Sequence, residues 1–142
     1  MIRNFATFTS SLPDDSVEWE GDVAEPDGRN VMESIRDAFL HANYDATAVD
    51  QHSFYGWSFS VKGEHGEFWL MVQCPGPWLL MIRDLRPIWK RIFKGRGDFA
   101  VFVEECHRTL TAIPEFGELR WCNESEWQVE SRSGKPGDGE AA

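Results

Sequence analysis

The chain has 142 residues, 24 of them acidic and 14 basic, for a formal net charge of -10. That balance weighs against a general nucleic-acid binder, whose footprint is a net basic domain, and a hydrophobic content of 42% against 27% charged excludes wholesale disorder. The length fits one core that forms without metal or disulfide staples, and seven tryptophans are an unusual number for it.

The opening MIRNFATFTSSLPDD lacks the apolar centre of a signal peptide, and no run approaches the roughly 20 apolar residues of a membrane span. The expectation is a cytoplasmic protein with no membrane partner and no nucleic-acid partner. Residues 14–27 then hold seven carboxylates (Asp14, Asp15, Glu18, Glu20, Asp22, Glu25, Asp27) and no cation. Such a block is expected to be solvated and loosely structured. From Arg29 to Asn43, Val31, Ile35, Ala38, Phe39 and Ala42 recur at helical spacing, with Asp27 placed to cap the helix.

From Phe54 the period changes to two. Tyr55, Trp57, Phe59 and Val61 share one face of a half-buried strand, and KGEHG at 62–66 turns the chain. In the return strand Phe68, Leu70, Val72 and Cys74 face one way, and Trp69, Met71 and Gln73 the other. A short Pro75-Gly76-Pro77 connection leads into a third strand, Trp78 to Arg83, and connections this short imply an antiparallel meander. Pro87 and Gly95 bound a short basic amphipathic helix, Asp98 caps a second helix from Phe99 to about Ala112, and Glu118 to Cys122 reads as a fourth strand. From Ser131 onward the composition is that of a disordered tail. The predicted fold is a single α+β domain over residues 1–130. It has an antiparallel meander of three to four strands and helices packed on one face, in the order α-β-β-β-α-α-β.

Chemistry is harder to find. His41, His52, His65 and His107 lack metal-ligand spacing, and Cys74, Cys106 and Cys122 contain no CxxC pair, so neither a metal nor another cofactor is expected. Cys106 and His107 are neighbours on a predicted helix, so their side chains diverge by about 100°. The carboxylate pairs Glu104-Glu105 and Glu124 with Glu126 read as surface solvation.

Two features stand above this background. The first is charge segregation: Arg83, Arg86, Lys90, Arg91, Lys94 and Arg96 against Asp84 give residues 83–96 a net charge of +5, opposite the acidic block. The second is apolar material on the sheet's other face, where Trp69, Met71, Leu79 and Met81 look away from the helices unless the N-terminal segment or the Trp89 helix covers them. Tryptophan and methionine are residues that interfaces favour.

Together these point to a non-enzymatic binding protein of the immunity-protein or chaperone and adaptor type. Its acidic field steers it to a basic protein partner. Its candidate contacts are Trp19 with Glu18, Glu20 and Asp22, and the sheet face around Trp69, Met71 and Met81. The alternative is a domain for a small or phosphate-containing ligand held by Arg86, Lys90, Arg91 and Lys94, with weak hydrolase activity. A homodimer through the sheet face is the third reading.

Overall fold

The computed structural model describes residues 2–53, 55–73, 77–86, 89 and 97–133. Its centre is the meander that the period-two pattern predicts. In chain order the strands are β1 (Phe5–Ser10), β2 (Val17–Trp19), β3 (Asp22–Glu25), β4 (Asp45–Ala46), β5 (Asp50–His52), β6 (Gly56–Gly63), β7 (Gly66–Gln73), β8 (Trp78–Asp84) and β9 (Phe116–Cys122). The helices are α1 (Arg29–His41), α2 (Gly97–Thr111) and α3 (Glu124–Ser133). The fold is α+β, with β6, β7 and β8 paired antiparallel in register from Gly56↔Gln73 to Phe68↔Asp84.

The sheet is larger than the three to four strands expected. It has seven, in the order β4-β6-β7-β8-β1-β9, with β5 also on the outer side of β6. The additional central strand is the N-terminal segment. Residues 5–10 do not lie over the second face; they insert between β8 and β9, pairing Phe5↔Met81 and Phe5↔Cys122. Aromatic and threonine side chains suit a strand buried on both faces, and Phe5, Ala6, Thr7 and Phe8 are all buried.

One face carries the main core. Trp57, Phe59 and Val61 of β6, Phe68, Leu70 and Val72 of β7, and Leu80 and Ile82 of β8 pack with Val31, Met32, Ile35 and Phe39 of α1 and Phe102, Val103, Cys106 and Leu110 of α2. Phe68 and Phe102 stack at 3.9 Å, and Phe39 stacks on Phe102 at 5.6 Å, so the two helices and the sheet share one aromatic centre.

The expectation that helices occupy one face holds for α1 and α2 but not for α3. Phe5, Leu79 and Cys122 alternate with core residues and so face the other way, and Trp127 of α3 packs against them. A capping box starts this helix: Asn123 Oδ1 accepts from Glu126 N–H at 2.8 Å, and Glu126 Oε1 accepts from Asn123 N–H at 3.0 Å. Arg3 Nε donates to the same Glu126 at 3.2 Å. The backbone bond at Asn123, then Arg3, holds the Glu126 carboxyl below its ordinary range. The helix runs to Ser133, so it takes in the first three residues of the tail expected from Ser131; the rest of that tail, residues 134–142, lies outside the described residues, as does the expected short basic helix apart from Trp89.

Candidate functional site

The acidic block contains an ordered hairpin where a loose segment was expected. β2 and β3 pair antiparallel, with Trp19↔Asp22 across a two-residue turn. Both turn residues, Glu20 (φ 53) and Gly21 (φ 86), have positive φ, as a type I′ hairpin turn requires. Glu20 takes that conformation without glycine's freedom, and Gly21 takes it at no steric cost.

The stems of the hairpin are clasped together by carboxylates. Asp15, not Asp27, caps α1: its Oδ1 accepts from Gly28 N–H at 2.9 Å and its Oδ2 from Asn30 N–H at 2.8 Å. This satisfies orphan donors at the positive end of the helix. Asp27 Oδ1 instead accepts from Asp15 N–H at 3.1 Å, and Asn30 Nδ2 donates to Pro13 O at 2.8 Å. Burial raises the Asp27 carboxyl above its ordinary range; the Asp15 N–H opposes this, while the Asp15 carboxyl and the charges of Asp14 and Asp15 add to it. Asp14, turned onto Ser16, is held below its ordinary value by those hydrogen bonds.

The second stem is fixed to the sheet. Trp57 Nε1 donates to Pro26 O at 2.9 Å, Gln51 Nε2 donates to Ala24 O at 3.0 Å, and the Arg29 guanidinium lies 5.5 Å from the centre of the Trp57 ring. Gly28, at φ 111, lies against Trp78, where a Cβ would come within 2.7 Å of ring carbon Cζ3. The base of the hairpin is therefore held by specific contacts. Its tip is open: Trp19 is 72% exposed, Val17 and Val23 are also exposed, and so are Glu18, Glu20 and Asp22.

The other candidate contacts lie on the second sheet face. Met71 and Met81 are cross-strand partners, and Trp69 is the partner of Arg83. Trp69 and Met81 are half-buried, whereas Met71 is only 4% exposed and has almost no surface to offer a partner. Trp69 meets the His52 ring edge-on at 5.5 Å, and His52 meets Tyr55 at 5.7 Å.

The opposite end of the sheet, at the β6–β7 turn, gathers charge inward. Arg86 is 7% exposed; its Nε and Nη2 donate to Asp84 at 3.0 and 2.6 Å, and its Nη1 to Asp98 at 3.2 Å. The hydrogen bonds it donates to Asp84 are the main reason its guanidinium is held above the ordinary value. His65 lies 3.8 Å from Asp98 and 3.9 Å from Glu105, and the Tyr44 hydroxyl donates to Glu105. Of the four cations that the sequence offers an anionic ligand, Arg86 is occupied by carboxylates, and Lys90, Arg91 and Lys94 lie outside the described residues. A groove of about 650 Å³ at β1 and β9 is lined by Phe8, Trp78 and Arg120 among others, and another of about 510 Å³ between α1 and α2 by Tyr44, Glu105 and Arg108 among others.

Among the described residues, Cys106, Cys122 and His107 are built into the packing of α2 and β9. Burial, and then the charge of Glu105, pushes the Cys106 thiol well above its ordinary value, and a thiol so held is a poor nucleophile. Trp121 Nε1 donates to His107 Nδ1 at 3.0 Å, so that imidazole serves the packing of β9 on α2. Among the described residues, no group of three or more His, Cys, Asp or Glu is placed to hold a metal, and no helix is long and apolar enough to cross a membrane. Comparison of the chain with protein-family models, curated proteins and solved structures finds no match.

Proposed function

We propose that this chain is a non-enzymatic cytoplasmic protein that binds a basic protein partner, in the manner of an immunity protein or an adaptor, with hairpin β2–β3 as its docking element. The observation that carries the reading is the contrast within that hairpin between a base held by hydrogen bonds and a tip that exposes Trp19 among carboxylates. Two-stranded ribbons have little stability of their own. Fixing one in place while leaving its tryptophan in water makes sense when a partner buries that ring, since pre-ordering reduces the entropy lost on binding. Tryptophan is enriched among the few residues that dominate binding energy, and surrounding carboxylates accelerate encounter with a cationic surface. Trp69 and Met81 form a second, flatter contact area.

The experiment is affinity capture on the immobilised chain, run in parallel with Trp19→Ala and with Trp69→Ala/Met81→Ala. The expected result is a basic protein retained at low salt, released as salt rises, and lost with Trp19→Ala while the variant still unfolds cooperatively. Retention unchanged by Trp19→Ala would refute the hairpin as the docking element. The competing reading, a phosphate-containing ligand on the basic segment, is separated by a thermal-shift screen with nucleotides and phosphorylated metabolites. A ligand at 100 times its dissociation constant adds about 2.7 kcal/mol of stability. Light scattering on the purified chain tests the homodimer.

A further inference from the structure

We infer that the partner surface β2–β3 fits is a cationic groove that otherwise takes single-stranded nucleic acid, so that docking and nucleic-acid binding exclude one another; this rests on the hairpin being the docking element. The argument begins with the register. In an antiparallel ladder directly opposed residues share a face and neighbours alternate. Trp19↔Asp22 therefore occupy one face of the ribbon and Glu18↔Val23 the other. Each face thus carries exposed apolar and carboxylate side chains, Trp19 with Asp22 on one and Val23 with Glu18 on the other, with exposed Val17 further down β2 and Glu20 at the turn.

A flat basic patch could cover only one of these faces. Only a concave partner reaches Trp19 and Val23 together, and its two walls must both be cationic to meet Asp22 on one side and Glu18 on the other. A nine-residue ribbon is also far short of the roughly 20–30 residues per side of a standard interface, a deficit that enclosure on both faces reduces.

The chemistry inside such a groove narrows the class further. The common motifs that read duplex DNA insert a projecting helix or ribbon into the major groove, and the cationic surface of such a motif is convex and does not accept another projecting ribbon. Proteins that hold single strands do the converse: a cationic groove tracks the backbone, and aromatic side chains stack the bases. A ribbon that interleaves an exposed indole with carboxylates offers that groove the same two kinds of group, a π-face and anions at short spacing. Residues 14–27 contain no cation to spoil the match.

The test uses the immobilised full-length chain and a nuclease-treated extract of the cells that make it. Bound protein is displaced by poly(U), by a DNA duplex, or by poly-L-glutamate, all at equal anionic charge, and Trp19→Ala serves as the control. The expected result is release of the Trp19-dependent protein by poly(U) at a concentration about tenfold or more below that needed of poly-L-glutamate or duplex. Equal release by poly-L-glutamate, preferential release by the duplex, or no release by poly(U), with capture still dependent on Trp19, would overturn the inference and leave the hairpin as the docking element. Absence of any Trp19-dependent capture would overturn both.

Discussion

The two ends of the sheet use acidic residues in opposite ways. At the β6–β7 turn, Asp84, Asp98 and Glu105 are engaged by Arg86, His65 and Tyr44, so their charge is consumed in joining the turn, β8 and α2. At the other end, where Trp57 and Trp78 meet the hairpin stems, Asp15 and Asp27 are used as a clasp, while Glu18, Glu20 and Asp22 face water beside Trp19. A net charge of -10 is therefore not one property. Part of it holds the fold together, and part faces water at the hairpin tip.

This contrast is most severely strained at Arg86. Replacing it by alanine leaves the Asp84 side chain, only 6% exposed, without its cation. The expected loss is about 3 kcal/mol of unfolding free energy in a denaturant titration, near the lower end of what removing one partner of a buried pair costs. A change below about 0.5 kcal/mol would mean that solvent already neutralises this end. Trp19→Ala is the mirror image: stability moves by less than about 0.5 kcal/mol, as expected of a surface position, while partner affinity falls by about 2 kcal/mol, or roughly thirtyfold, in a titration calorimeter.

Within the clasp the two aspartates should respond with opposite sign. Asp15→Asn keeps one acceptor for two backbone donors, and a loss of about 1 kcal/mol is expected, the usual worth of a helix cap. Asp27→Asn keeps the oxygen that receives Asp15 N–H and removes a carboxylate whose ionised form the site disfavours, so it should stabilise slightly at neutral pH. The sign follows from linkage: a carboxyl raised in the folded state binds its proton more tightly there, so ionisation subtracts stability above the folded pKa. That penalty fades as pH falls through the raised value and is gone below the ordinary aspartate value of about 3.9. Thermal melts of the wild type and Asp27→Asn from pH 7 to pH 3.5 should therefore converge; a gap that widens on acidification would contradict the placement of the proton.

Much of the central sheet was legible because period-two alternation survives where one face meets helices, as in Trp57, Phe59 and Val61 or Phe68, Leu70 and Val72. The same logic explains what was missed. Phe5, Ala6, Thr7 and Phe8 are buried on both faces, so β1 has no polar face to reveal it. The hairpin was masked by its acidity, although Glu20-Gly21 between Trp19 and Asp22 is a turn signal. The α3 helix announced itself only in the Asn123 and Glu126 spacing of a capping box, since its single described apolar contact is Trp127. Trp19 and its carboxylates were readable as surface. What no local pattern could convey was the clasp, because Asp15 caps a helix that begins well downstream of it, and the second carboxylate on Arg86, because Asp98 lies on a different element from its neighbour Asp84.

The most direct test of the division between the two ends is the association rate of the captured partner with the variant Glu18→Lys/Glu20→Lys/Asp22→Lys, measured at low and at physiological salt. Carboxylates left for an outside partner should govern encounter and little else. The account predicts a rate about tenfold or more below wild type at low salt, a gap that narrows as salt rises, and unchanged cooperative unfolding. An unaltered, salt-insensitive association rate would contradict it.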